Sequence, residues 1–472
     1  RFSDGTPLTV ADVIWSFETL GTEGHPRYRN AWASVSSIEG TGPREVTISF
    51  ADENPELPLI MALRPILQRA QWEGRSIAEA GGEAAIGSGP YTIAAHEPGR
   101  FIEFAKDPNW WGADLPVNRG LHNFETIRIE YFRDGGAYWE AVKAGEIDLH
   151  AEYDPVRWAE GYDFPALTEG RMARDTLSYA RPSGWEGFVF NTRREIFADR
   201  RVREALTLAF DWEWVNERLF RGGYERIQSP FGRSPLGFEG EAMPGERAIL
   251  EAFDLPPGTL EEGWRPPISD GSGRDRRALR AAGKLLDQAG WVLDGPLRQR
   301  DGQPLSFEIL VSSSEHENLA SLWAAGLKRL GVEARPRLVD NAQFSARRES
   351  YDYDVTVNRW GMSLSPGVEQ RFYFHSSGRE APGTRNYMGV ADPAVDAAIA
   401  ALLAARDRSA FQDAVRALDR VLTAGIYVVP FGVLPEDRLL HTSRVARPPQ
   451  DTLYGWWGWQ GGPARWWAVD AP

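Results

Sequence analysis

Apolar positions recur along this chain in two rhythms, a period near 3.6 and a period of 2, and the frequent switching between them predicts a mixed α/β protein. Val10, Val13, Ile14, Phe17 and Leu20 fall at helical spacing. Thr9 followed by Asp12 has the form of a capping box, which places the start of that helix. Ahead of it, Arg1 and Phe2 read as the end of a strand entering the turn Ser3-Asp4-Gly5-Thr6-Pro7, so the chain is expected to begin inside a domain. Residues 45–50 alternate as a strand, and residues 57–67 are apolar but interrupted by Pro58 and Pro65. Gly87-Ser88-Gly89-Pro90-Tyr91 breaks the pattern before the next strand and places a subdomain boundary near residue 90. A helix around 137–144 ends at Gly145, a glycine in the position where helices stop.

In the second half, residues 187–191 form an apolar strand, and Asp199 precedes Val202, Ala205, Leu206 and Ala209 at helical spacing. Residues 221–275 carry many Gly, Pro and charged positions with little periodicity and read as a long surface excursion. Regular pattern then resumes: helix 278–289, strand 305–311, helix 319–330, strand 332–338, a rhythm that implies a sheet with helices packed on it. Residues 352–358 alternate as a strand, and 360–371 are loop-like, with Gly361, Pro366 and Gly367. Two helices follow; the second, with Phe411, Ala414, Val415, Leu418, Val421 and Leu422 on one face, runs into the apolar strand 426–430.

The 472 residues exceed the size of one compact domain, so two lobes or more are expected. A net charge of −14 argues against a nucleic-acid partner, because phosphate contacts need a basic face. The absence of cysteine removes disulfides, thiolate catalysis and Cys-ligated zinc. No run approaches the roughly 18 apolar residues of a membrane span, and the first residues lack the pattern of an export signal, which is expected upstream of Arg1.

Catalytic patterns are missing: there is no P-loop, dinucleotide turn, nucleophile elbow or HExxH. The seven histidines stand singly, which speaks for structural roles, and neither metal nor other cofactor is expected. Asp352 and Asp354 lie two apart on an expected strand, so they share a face; a solvated edge accounts for them more simply than the paired acids of a glycosidase. Tryptophans cluster as Trp110-Trp111, Trp212 and Trp214, Trp456-Trp457 with Trp459, and Trp466-Trp467, where core packing is the first explanation. Trp360 stands apart, since it sits where a strand enters a Gly/Pro loop and its side chain is expected to reach a cleft.

Several strings in order, Phe2 to Thr9 with Asp12-Val13 and Phe17, Gly87 to Tyr91, Trp110-Trp111-Gly112, Lys143 to Asp148, Phe190-Asn191-Thr192, and Asp199 with Val202-Arg203 and Ala205-Leu206, resemble the extracellular solute-binding proteins of peptide and nickel ABC importers, family 5. Asn118-Arg119-Gly120-Leu121 and Tyr162 to Pro165 are similar to the branch typified by YejA. The resemblance implies a two-lobed α/β periplasmic binding protein fold of cluster C type with an extra subdomain, two crossing strands as hinge, and ligand enclosed between lobes. Residues 1–90 would be the small subdomain of the first lobe, 91–186 and 432–472 its main part, and 187–431 the second lobe. The family begins earlier than Arg1, so part of the first lobe is expected to lie before it.

The implied function is that of a monomeric periplasmic receptor, not an enzyme, delivering a peptide or peptide-like solute, muropeptides included, to the permease of an ABC importer. An opine, sugar or sugar–peptide conjugate on the same fold is the near alternative, and a secreted glycoside hydrolase the distant one. Oligopeptide binders of the family place an acid three residues after the loop tryptophan, to pair with the ligand's α-ammonium; Trp360-Gly361-Met362-Ser363 has serine there, which leaves Glu369 as the substitute. Arg371 and Arg385 would hold a carboxylate or sugar acid, and Asn386 and Tyr387 would add hydrogen bonds.

Overall fold

A computed structural model of the chain describes residues 1–51, 57–77, 82–457 and 462–469. Trp459 therefore lies outside the described residues. Contacts divide the chain into two compact units: Arg1–Ala151 with Asp163–Leu177 and Arg438–Pro472, and Glu152–Tyr162 with Ser178–Asp437. The segment 152–162 thus clusters with the second unit, whereas the sequence reading placed it in the first lobe.

In the first unit, α1 (Val10–Thr22) opens on the expected capping box: the Thr9 hydroxyl accepts from the Asp12 N–H, and the Asp12 carboxylate accepts from the Thr9 N–H at 2.8 Å. The hairpin β1 (Val35–Gly42) and β2 (Glu45–Phe50) pairs Ile38 with Ile48. A three-stranded antiparallel sheet follows, β3 (Tyr91–Glu97), β4 (Phe101–Lys106) and β5 (Thr126–Glu130), with β4 central. Next, α2 (Gly135–Ala144) is stopped by Gly145 at φ 76°, a left-handed position that costs glycine no Cβ clash. A further sheet holds β6 (Leu149–Glu152) and β7 (Met172–Leu177), with Asp437–Thr442 between them.

The second unit is built on one five-stranded sheet. Its parts in chain order are β8 (Trp185–Phe190), α3 (Arg200–Leu208), α4 (Pro244–Leu250), α5 (Arg276–Gln288), β9 (Ser306–Val311), α6 (Ser314–Lys328), β10 (Glu333–Leu338), α7 (Asn341–Glu349), β11 (Val355–Trp360), α8 (Glu369–Phe374), α9 (Pro393–Ala404), α10 (Arg408–Ala424) and β12 (Val428–Pro430). The strand order is β10-β9-β11-β8-β12. The β9–α6–β10 unit is parallel throughout, from Ser306↔Glu333 to Val311↔Leu338. Side chains alternate between two cores. Phe188, Phe190, Phe307, Ile309 and Val357 face α3, α5 and α6, while Val189, Leu310, Trp360 and Val428 face α9 and α10.

Residues 221–275 correct the expectation of a surface excursion. They contain α4, Ile227, Phe231, Leu236 and Leu250 are buried in one core with α10, and Phe238 is buried as well. Two neighbouring charges on α10 hold this irregular backbone. Asp419 accepts from the Phe231 N–H at 2.9 Å, the Ser229 hydroxyl at 2.7 Å and the Phe238 N–H at 3.1 Å. Arg420 donates to the carbonyls of Thr259 at 2.9 Å and Gly240 at 3.1 Å. Backbone polar groups satisfied by side chains of another helix need no periodic ladder, so the segment shows no rhythm in the sequence.

Asp352 and Asp354 differ from expectation only in lying outside the strand, and Asp352 is solvent-exposed as a solvated edge requires. Both precede β11, and both serve as ion-pair partners of Arg194, with Asp352 also 3.4 Å from Arg347 and Asp354 accepting from the Glu308 N–H at 3.0 Å. Nothing in that arrangement resembles two acids flanking a scissile bond.

Candidate functional site

Because β9 runs parallel to β10 and β11, and β8 and β12 alternate direction, the carboxyl ends of β9, β10, β11 and β12 gather at one edge of the sheet with the amino end of β8. In open α/β sheets ligands collect at such an edge, where side chains and loop backbone project past the packed layers. The edge is ionisable here. Glu186 and Arg359 are register partners across β8 and β11, with Arg359 Nε 3.6 Å from Glu186 Oε2. Burial pushes the Glu186 carboxyl above its ordinary range; Arg359 opposes that rise and Glu315 adds to it.

Ser313 caps α6 by accepting from the His316 N–H at 3.2 Å, which sets Glu315 and His316 in the first helical turn at the same edge. The His316 ring stacks on Phe431 with centroids 6.3 Å apart. Burial holds its pKa below the usual histidine value, so the ring is neutral near pH 7. Arg181 forms a two-point pair with Asp437, at 2.7 and 2.5 Å, and lies 3.5 Å above the Tyr179 ring. Burial raises the phenol pKa values of Tyr153 and Tyr179, both of which sense the charges of Arg181, Arg359 and Asp437.

The residues expected from sequence fall on β11, the loop after it, α8 and residues 385–387, and the structure assigns them unlike roles. Trp360 does not reach a cleft. It is 0% exposed, packed against Trp185, Phe374 and Tyr387, with its indole N–H donating to the Arg385 carbonyl at 3.2 Å. Both faces of β11 are covered, odd positions by the core of α3, α5 and α6 and even ones by that of α9 and α10, so the last strand residue packs into the latter. Asn386 is likewise 0% exposed and structural: its amide donates to the carbonyls of His375 at 3.1 Å and Val390 at 2.9 Å and accepts from the Val390 N–H at 2.8 Å.

Ser363 accepts from the Ser365 N–H at 3.1 Å and shapes its own turn. Both oxygens of Glu369 accept from the Gly367 N–H, at 3.0 and 3.1 Å, and one also accepts from Gln370. Tyr387 is buried, and its hydroxyl accepts from Arg348 at 2.9 Å. Arg371 is exposed on α8, and Arg385 donates to the Arg359 carbonyl at 2.9 Å.

Sequence reasoning missed Glu186, Arg359, Glu315, His316 and Arg348. One signal was present for the first: a carboxylate inside the otherwise apolar run Trp185–Phe190 needs a reason. Among the described residues no group of His, Cys, Asp and Glu could hold a metal, and no helix is long and apolar enough to cross a membrane.

Comparison with known proteins gives a consistent set of matches. Residues 1–381 match the family described as bacterial extracellular solute-binding proteins, family 5 middle. The chain is 37% identical over 475 residues to the peptidoglycan-binding protein YepA of Agrobacterium fabrum, covering 97% of this chain and 77% of that protein. Over 485 residues it is 35% identical to the protein named probable peptide-binding protein YejA of the same organism, covering 100% and 78%. Among solved structures, the oligopeptide-binding protein AppA from Bacillus subtilis, in complex with a nonapeptide, superposes with a TM-score of 0.68 at 19% identity, covering 100% of this chain and 85% of that one.

Proposed function

The chain belongs to the bacterial extracellular solute-binding proteins of family 5, and on that premise we propose that it is a monomeric periplasmic receptor for peptides or peptide-like solutes, peptidoglycan fragments among them, without catalytic activity. The observation that carries this reading is the family match over residues 1–381. The names of the relatives narrow the solute: one is called peptidoglycan-binding and another probable peptide-binding.

The sheet edge of the second unit supports a binding role. It combines a carboxylate, guanidinium groups and aromatic hydroxyls. Arg371 and Arg385 are the groups for a solute carboxylate, and Glu369, whose carboxylate is held in place by Gly367, is the group for an amine. Micromolar affinity needs about 8 kcal/mol net, which a few charge-assisted hydrogen bonds and aromatic burial supply.

Native mass spectrometry of the purified protein, followed by denaturation and identification of the released molecule, tests the reading. A stoichiometric peptide or peptidoglycan fragment is the expected result. Release of an opine or plain sugar would move the ligand class, and turnover of a glycan or peptide by the purified protein would overturn the receptor.

A further inference from the structure

β11 is paired on both sides only where it begins. β9 meets it at Ile309↔Val355 and Leu310↔Thr356 and then stops, whereas β8 follows it to Trp185↔Trp360. The Asn191 N–H donates to the Asp354 carbonyl at 3.0 Å, which sets the phase of the antiparallel pair. Carbonyls at even positions face β8, and those of Val357 and Arg359 face the other way. Among the described residues neither of these two carbonyls meets a strand. Each meets an arginine: Arg385 Nη2 donates to the Arg359 carbonyl at 2.9 Å, and Arg348 Nη1 reaches the Val357 carbonyl at 3.5 Å.

Both guanidinium groups are backed by tyrosine. Arg385 lies 5.0 Å from the Tyr373 ring, with Nη1 3.4 Å from its hydroxyl. Arg348 lies 4.4 Å from the Tyr387 ring and donates to its hydroxyl at 2.9 Å. An aromatic face and a hydrogen bond hold each fork in one orientation, which lowers the entropy lost when it binds an anion. Among the described residues, neither arginine has a carboxylate within 4.0 Å. A protein of net charge −14 thus keeps two oriented, uncompensated cations on one strand edge.

A peptide adding to this edge as a strand would need the two carbonyls that the arginines occupy. A carboxylate would instead complete the arginines' forked donor sets. We infer that this edge selects solutes bearing a carboxylate, on an acidic side chain or a sugar acid, through Arg348 and Arg385, and does not take the solute as an added strand. The inference rests on the receptor reading and adds its chemical selectivity.

Isothermal titration with two matched probe pairs tests it: the C-terminally amidated tetrapeptides Ala-Glu-Ala-Ala and Ala-Gln-Ala-Ala, and N-acetylmuramic acid against N-acetylglucosamine. The acidic member of at least one pair should bind about tenfold more tightly, and Arg348→Gln and Arg385→Gln should each erase most of that preference. Unchanged thermal unfolding of both variants confirms that the fold is intact; if Arg385→Gln unfolds, Arg348→Gln decides alone. Equal affinity within both pairs, or a preference that survives both substitutions, overturns the inference and leaves the receptor standing. A co-purified solute without a carboxylate does the same. No binding of any probe together with no co-purified solute overturns the receptor reading and the inference with it.

Discussion

Arg420 and Glu246 form an ion pair inside the second unit, Nε to Oε2 2.9 Å, with the two side chains 0% and 1% exposed. Burying two charges costs several kcal/mol each unless every donor and acceptor is used. Here three further guanidinium donors go to the carbonyls of Thr259, Glu261 and Gly240. The pair therefore fastens α10 to α4, and the carbonyl contacts of Arg420 tie the irregular chain on either side of α4 to the same helix. Glu246→Gln leaves Arg420 charged and unpaired, and is expected to cost about 3–5 kcal/mol, read as a lower urea midpoint. Replacing both residues with apolar ones of similar volume should cost less than Glu246→Gln alone, and a larger loss in the double variant would contradict this account.

Asp419 is the next residue on the same helix, and its carboxyl is pushed up to about 6 by burial, against the pull of its three hydrogen-bond donors. A folded-state pKa above the unfolded value of 3.8 means that its stabilisation is complete below about pH 4 and is lost as the pH rises through about 6. The change is on the order of 2–3 kcal/mol. Urea unfolding at pH 4.5 and pH 7 should show that fall in the natural chain, and Asp419→Asn should remove it. The variant starts from lower stability, because its amide would face the Phe238 N–H. Identical pH slopes in the two proteins would show that Asp419 is ionised throughout.

Gly187 stands in β8 with β11 on one side and β12 on the other. A Cβ at this position would collide with the Val429 carbonyl, a backbone atom that cannot move without breaking the strand pair. Gly187→Ala is expected to lower stability by about 3 kcal/mol or to prevent folding, measured as loss of the cooperative thermal transition. Retention of the natural melting temperature would mean that β12 shifts freely.

Trp360→Phe keeps the aromatic packing and deletes the hydrogen bond to the Arg385 carbonyl, at an expected cost of about 1 kcal/mol. Trp360→Ala opens a large void and should cost about 3–5 kcal/mol. Both act on solute affinity only through the position of residues 385–387, so Trp360→Phe is expected to change the dissociation constant less than Arg385→Gln does. The opposite order in a titration would place the indole on the solute.

Much of the chain's local structure can be read from residue order alone. The capping box at Thr9 and Asp12 and the glycine stop at Gly145 depend on neighbours within a few positions, and the β9–α6–β10 unit joins successive elements whose pairs lie 27 positions apart, so that sequence pattern and structure coincide in all three. The family strings were legible for the same reason. Tertiary structure alone decided the rest. Trp360 turns inward because the register of β11 against β8 sets which face each residue takes, and pairing partners 165 to 175 positions away are not visible in a local pattern. Residues 221–275 belong to the core because Asp419 and Arg420, far along the chain, satisfy their backbone groups. The ionisable edge with Glu186, Arg359 and Arg348 exists only where strand ends from distant segments converge, since charge and burial at a site are properties of the packed assembly and not of the segments that supply it.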